Sequence, residues 1–272
     1  MLAVSCGGHS PAPAPIPDPI PPANAKPVIE SIAVQGRRQK EPANFADLSE
    51  PIDVTARVHD DETAVTDLVF EWSAPVGSFE GSGASVVWHA PDTAQTPSVV
   101  TISLKVIEHY GFQNGPKTFQ QDVSSSVDVS LHDSVKEVSE IAKQFLLDFS
   151  DSSIRDVGFI MRNFQKGCYG TEAETDEVAG HRRRYQIIES HVDVPKTTVS
   201  FGGICPFRAR PGDACSAVPV FWRAIDFDDH NHVGVAVGTD WVASVYVPTE
   251  RRWWLCDSQF DGRQTFRTRF IR

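Results

Sequence analysis

Four cysteines lie in the second half of the chain, at Cys168, Cys205, Cys215 and Cys256, while Cys6 stands alone near the N-terminus and residues 7–167 have none. No two of the four are close enough for the Cys-x2–4-Cys pair usual in zinc sites. An even set of this kind instead suits two disulfides in an oxidising compartment, with buried free thiols as the other reading. Four cysteines allow three pairings. The preferred one joins Cys205 to Cys215 across a loop and Cys168 to Cys256, tying a helical segment to the last strand.

Acid–base chemistry has four candidates on predicted strands: His191, Asp193, Asp226 and Asp257. Strand alternation puts Asp226 on one face with Val220, Trp222 and Ala224, and sets Phe221, Arg223 and Ile225 on the other. A carboxyl among apolar neighbours has a raised pKa and suits a general base. Asp226 and His191 are therefore the bases of an enzyme reading. The plainer reading makes Asp226 a strand-end residue entering the turn 228–232. That turn holds Asp229, His230 and His232, a set able to bind a divalent cation, but Asp, Asn and His are ordinary turn formers. Asp60, Asp61, Glu62 and Asp67 offer oxygens to calcium without a defined loop spacing. No metal and no cofactor are expected. Trp222, Arg223, Trp241, Trp253 and Trp254 are the expected ligand-binding surface. Arg182-Arg183-Arg184, the one dense basic patch, reads as a solvated helix end favoured by the helix dipole.

The net charge is −11, and residues 1–133 carry 7 Lys/Arg against 17 Asp/Glu. An acidic front half repels polyanions, so no nucleic-acid partner is expected. No run approaches the roughly 18 apolar residues of a membrane-spanning helix. Residues 11–22 alternate proline with small or apolar residues and favour an extended polyproline II spacer. Three segments follow: a tether and linker at 1–27, a strand-rich segment at 28–131, and a third at 134–272. In the second, apolar residues recur with period two between turn signals, as in Ile52-Val54-Ala56-Val58 and Leu68-Phe70-Trp72. About seven short strands at this spacing argue a β-sandwich. In the third, Val135, Val138, Ile141, Ala142, Phe145, Leu146 and Phe149 fall at helical spacing behind a capping box, Ser134-x-x-Glu137. Further helices are predicted over 154–164, and from Thr171-x-x-Glu174 to about residue 183. Strands follow at 185–192, 197–201, 217–227, 232–237, 241–247 and 253–256. The fold class expected is two domains: an all-β sandwich, then α+β with N-terminal helices packed on a curved antiparallel sheet.

Three resemblances attach to these residues. Ala3-Val4-Ser5-Cys6 resembles the lipobox of bacterial lipoproteins, which implies lipidation at Cys6, a membrane partner reached through that lipid, and a lipid-anchored place in the bacterial cell envelope or at its surface, periplasmic or extracellular. Phe70-Glu71-Trp72-Ser73, Gly77-Ser78-Phe79 and Val87-Trp88-His89-Ala90-Pro91 resemble an extracellular Ig-like module of the PKD type, which implies a spacer or adhesion unit. The segment 142–149, Asn163-Phe164, Cys168-Tyr169-Gly170 and the ending Trp253-Trp254-Leu255-Cys256-Asp257-Ser258-Gln259 resemble the nuclear-transport-factor-2-like fold. That superfamily includes enzymes and non-catalytic pocket proteins alike, so fold alone decides nothing. The function expected is a non-catalytic envelope or surface lipoprotein that binds an envelope protein, glycan or small molecule through its C-terminal segment. The alternative is a small secreted isomerase, dehydratase or hydrolase.

Overall fold

The computed structural model describes residues 20, 22–112, 114–202, 205–207, 209–228 and 232–265. Eight strands come first: β1 (Val28–Gln35), β2 (Phe45–Asp47), β3 (Pro51–His59), β4 (Val69–Ser73), β5 (Ser78–Ser82), β6 (Ser85–His89), β7 (Ser98–Gly111) and β8 (Lys117–His132). They form two four-stranded sheets, in the orders β1-β3-β6-β5 and β2-β8-β7-β4. Alternation decides their faces. Ile52, Val54, Ala56 and Val58 of β3 are buried, while Asp53, Thr55, Arg57 and His59 between them are exposed. The buried faces of the two sheets meet in one core. Ile52, Val54 and Trp88 from the first sheet pack with Val100, Ile102, Val129 and Leu131 from the second. The buried indole of Trp88 satisfies its N–H on the Val76 carbonyl at 3.2 Å.

Beyond β8 the chain makes α1 (Ser134–Ser150), α2 (Val157–Ile160) and α3 (Thr171–Arg184). It then makes β9 (Tyr185–Val192), β10 (Thr198–Phe201), β11 (Ala214–Asp226), β12 (Val233–Val247) and β13 (Arg252–Gln264). The third sheet runs β10-β11-β12-β13, with β9 also paired to β11. Ala142, Phe145, Leu146 and Phe149 of α1 bury against Val218, Val220, Trp222 and Leu255 of that sheet.

The expected fold class is corrected here. The described residues hold thirteen strands and three α-helices, sheets run through both halves, and an N-terminal layer of helices on a curved sheet is not seen. The reason lies in the helical segments themselves. The predicted helix over 154–164 is a single turn, because Asp156 caps at Gly158 N only four residues before the helix ends. The third segment is helical but strongly polar, and its buried residues are Glu174, Val178, His181 and Arg182. One apolar residue among four gives it no broad apolar face to lay on a sheet. Only α1 has such a face. The strands meanwhile run longer than expected. Segments 232–237 and 241–247 are one strand, and β13 continues to Gln264.

Caps also shift. Asp133, not Ser134, caps α1, accepting from Lys136 N at 3.1 Å, while Glu137 accepts from Asp133 N. Ser134 is buried instead in a seam between the two halves. Its N–H donates to Asp47 at 2.7 Å, and its hydroxyl accepts from Trp253 Nε1 at 3.0 Å. Phe45, Val138, Ala214 and Trp253 form the seam's apolar floor. Arg38 closes one side: it pairs with Glu41 and Asp47 at 2.7 Å and Glu50 at 3.3 Å, and lies over the Phe201 ring at 4.4 Å.

Candidate functional site

Two disulfides are present, Cys168–Cys256 and Cys205–Cys215. Between them lies a cleft of about 530 Å³ lined by Gly170, Ala173, Glu174, Glu177, Phe207, Asp257, Ser258 and Gln259. Each wall has a local cause. Cys168–Cys256 ties the turn before α3 to β13, and Thr171 Oγ1 donates back to the Gln165 carbonyl at 2.8 Å instead of capping α3. The helix therefore starts from Gly170 without a side-chain cap. Glu174, Glu177 and Val178 are spaced three and four apart, so they share a face. Gly170 has no side chain, and a Cβ there would overlap the carboxyl of Asp257. That absence lets Asp257 lie against the helix start. The Cys205–Cys215 bridge holds the segment carrying Phe207. Nearby, Tyr169 donates to Asp213 at 2.9 Å, and Arg210 lies over the Tyr169 ring at 4.8 Å.

The wall opposite α3 depends on β12 running straight past Gly238. Gly238 pairs with Gly262 so closely that a Cβ on either would strike the other strand's backbone. This close pairing carries the chain on to Asp240, which faces the interior with Ala236 and Val242. Asp240 accepts a 2.8 Å hydrogen bond from Ser258 Oγ, and Ser258 lines the cleft.

The electrostatics follow from burial. Glu174 is only 6% exposed, and its carboxyl accepts no hydrogen bond and joins no ion pair among the described residues. Its pKa is pushed well above the carboxylate range by burial, and further by Asp240, Glu177 and Asp257. Burial also raises Asp240, to about 7, with Glu177 adding to the shift and the Ser258 hydrogen bond opposing it. Burial raises the Tyr169 hydroxyl as well, helped by its bond to Asp213. The cleft thus presents a Glu174 carboxyl whose ionisation is opposed by burial and by its acidic neighbours, with Asp240, titrating at about 7, behind it. No group of three or more His, Cys, Asp or Glu side chains gathers closely enough to hold a metal ion among the described residues.

The residues singled out from sequence fall elsewhere. Asp226 is buried but pairs with Arg184 at 3.1 Å and accepts from Asp228 N, pinning the end of α3 to β11. His191 is exposed on β9 opposite Phe221, on the face turned away from Trp222. Asp193 pairs with Lys196 at 2.8 Å. Asp257 is the one sequence candidate in the cleft. The five expected recognition residues do not share a surface. Trp222 is fully buried in the core, donating to Ser150 at 2.7 Å. Trp253 lies in the seam, Trp241 packs over Cys205–Cys215, and Arg223 is exposed beside Glu189. Trp254 carries Arg252 over its ring at 3.8 Å and lines a separate cleft of about 460 Å³ with Arg162, Gln165 and Lys166. The basic patch is divided too. Arg182 is buried and donates to the carbonyls of Asp148, Phe149 and Asp151, closing the C-terminal end of α1. Cys6, Asp229 and His230 lie outside the described residues.

Sequence reasoning missed Glu174, Glu177, Asp240 and Ser258. One signal was readable: Asp240 keeps the inward parity of Ala236 and Val242, so a carboxylate sits at a core position once 233–247 is read as one strand.

Comparison of the chain with protein-family models, with curated proteins and with solved structures finds no match. Fold and site therefore define it by their own features: a disulfide-bonded, β-rich protein with an acidic cleft beneath a helix, of a kind suited to an oxidising compartment outside the cytosol.

Proposed function

We propose that this is an extracytoplasmic binding protein that receives a small ligand in the cleft between α3 and β13. The observation that carries the reading is Glu174. A buried polar group without a partner costs free energy, and here that group faces an open cleft of ligand size. A ligand that bonds to it recovers the loss. The Ig-like module of the PKD type then serves as spacer. The lipobox-like Ala3-Val4-Ser5-Cys6 and the proline-rich run support a lipid tether. Asn24, just after that run, donates to Glu108 at 2.7 Å, which gives the tether a fixed point on the first module.

The test is a melting-temperature screen with neutral, anionic and cationic small molecules, repeated on Glu174→Gln. Ligand binding raises stability by RT ln(1 + [L]/Kd). Shifts that shrink in the variant support the cleft; shifts that survive it unchanged remove it. Lipid labelling of the protein made from its native locus, beside Cys6→Ala, tests the tether.

A second reading, catalysis, is favoured by one feature: burial raises the carboxyls of both Glu174 and Asp240 above their ordinary range, as a general acid requires. Consumption of a bound ligand by the wild type, but not by Asp240→Asn, selects it.

A further inference from the structure

We infer that the second cleft, on the Trp254 side of α3, binds a neutral saccharide of one or two pyranose rings. This site is separate from that of Glu174 and does not depend on it. The two clefts share no lining residue, and Thr171 and Thr175, one turn apart, give the second the next face of the helix. Its volume of about 460 Å³ is in the range of small-molecule sites. Met161 and Phe164, both buried, form its apolar floor. Half-buried Trp254 is its aromatic wall. The indole N–H is buried, so the ring meets the cleft through carbon. Arg252 lies over that ring at 3.8 Å but does not belong to the lining, so it steadies the indole without filling the space beside it. Backbone fixes the wall to the floor: Gln165 N donates to the Leu255 carbonyl and Leu255 N to the Asn163 carbonyl, both at 2.8 Å.

The polar lining decides the ligand class. The Thr171 and Thr175 hydroxyls donate to the carbonyls of Gln165 and Thr171, at 2.8 and 2.6 Å. Arg162 is engaged by Asp148 and by the Phe159 carbonyl. Three lining side chains have no hydrogen bond or ion pair to any described residue: half-buried Gln165 and exposed Lys166 and Glu250. Solvent serves all three, so they set a pattern rather than a deficit. The ammonium only donates, the carboxylate only accepts, and the amide does both. An anionic ligand answers Lys166 but meets Glu250. A cationic one answers Glu250 but meets Lys166 and Arg162. A purely apolar one displaces water from all three and returns no hydrogen bond. A pyranose has the matching composition. Each of its hydroxyls donates and accepts, and its axial C–H bonds make a flat apolar face for the indole.

The experiment is titration calorimetry on the full chain, with saturation-transfer NMR to show which ligand protons lie against protein. The probes are cellobiose, maltose, lactose and diacetylchitobiose. Cyclohexanol, indole-3-acetate, tyramine and glycyl-leucine are the apolar, anionic, cationic and zwitterionic comparators. At least one disaccharide is expected to bind with a Kd of about 1 mM or tighter, ahead of all four comparators, with saturation strongest at its ring C–H protons. Trp254→Ala is expected to weaken that binding about tenfold or more. Gln165→Ala and Glu250→Ala, whose side chains bond to no described residue, weaken it about two- to tenfold each. Glu189→Gln on β9 changes nothing. Circular dichroism and melting of each variant separate lost binding from lost fold. If a comparator binds better than every sugar and Trp254→Ala weakens it, the cleft is a site but the saccharide assignment is overturned. If no probe binds the folded protein, or a sugar binds and all three cleft variants leave it unchanged, the site itself is overturned.

Discussion

Ser258 donates a 2.8 Å hydrogen bond to Asp240 across the β12–β13 ladder, and both side chains are buried. The bond favours the ionised form of Asp240, yet burial outweighs it and leaves the group titrating near 7. The folded state therefore holds this proton more tightly than the unfolded chain, whose aspartates titrate near 4. By linkage the group's contribution is fully present below about pH 4, is lost as pH rises toward 7, and is constant above. The span corresponds to about 4 kcal/mol. Glu174 shifts in the same direction. Asp240→Asn removes the charge and keeps an acceptor for Ser258. Urea melts are expected to show the variant more stable than wild type by about 1–3 kcal/mol at pH 8, with the difference vanishing near pH 4. A gap independent of pH sinks the account.

The two disulfides close loops of different length, with sequence separations of 88 for Cys168–Cys256 and 10 for Cys205–Cys215. On the chain-entropy model these contribute about 4–5 and about 2–3 kcal/mol. Replacing each pair by alanines is expected to preserve that order in denaturant melts. The Cys168/Cys256 variant also frees the turn before α3 and weakens ligand binding at the cleft. Equal losses from both pairs would show that native-state packing, rather than loop closure, decides their worth.

Arg38 compensates three partly or fully buried carboxylates, with the Glu41 side chain only 1% exposed. Burial pushes Glu50 up to about 7 against the pull of Arg38, so the balance there is close. Removing one partner of a buried ionic set costs about 3–5 kcal/mol, because the others keep their desolvation cost. Arg38→Ala is expected to lose about that much above pH 7, and less near pH 5, where Glu50 is protonated. Melts at the two pH values check it, and equal losses would assign the effect to the lost Phe201 stacking instead.

The strand positions of the first half were legible because its residues alternate cleanly: Ile52 to Val58 decides which face of β3 is buried without any tertiary knowledge. The first helix was legible for the same reason, at period 3.6. What failed was chemistry that competes for one residue. Ser134 and Thr171 both read as helix caps, yet Ser134 has a stronger buried use under Trp253, and Thr171 bonds to Gln165. Glu174 read as the partner in a capping box, a solvent-facing role, while the fold turns it inward. Gly238-Thr239-Asp240 interrupts an apolar run and read as a break between strands. Only the face-to-face pairing of Gly238 with Gly262, a contact between distant positions, carries the strand through. The cleft was hidden because its acids lie on α3, β12 and β13, far apart in sequence, and only the fold brings them together.

Gly170 offers the narrowest test of the cleft's geometry. Its backbone is near the right-handed helical region, at φ −110° and ψ −14°, so alanine adopts it without strain. Replacing glycine by alanine at such an N-cap position costs about 1 kcal/mol or less. The new methyl, however, would occupy the space of the Asp257 carboxyl. Rotation moves the Asp257 carboxyl but not its Cβ, which would lie 2.5 Å from the new methyl, so the backbone of the turn before α3 must also shift against the Cys168–Cys256 tie. Gly170→Ala is therefore expected to melt below wild type and to bind a ligand found by the melting screen at least fivefold more weakly. Asp257→Asn should weaken it by a similar factor, and adding it to Gly170→Ala should cost little more, since both changes remove one carboxylate from the wall. Full additivity in that double-mutant cycle would mean that Gly170 acts on the cleft by some route other than Asp257.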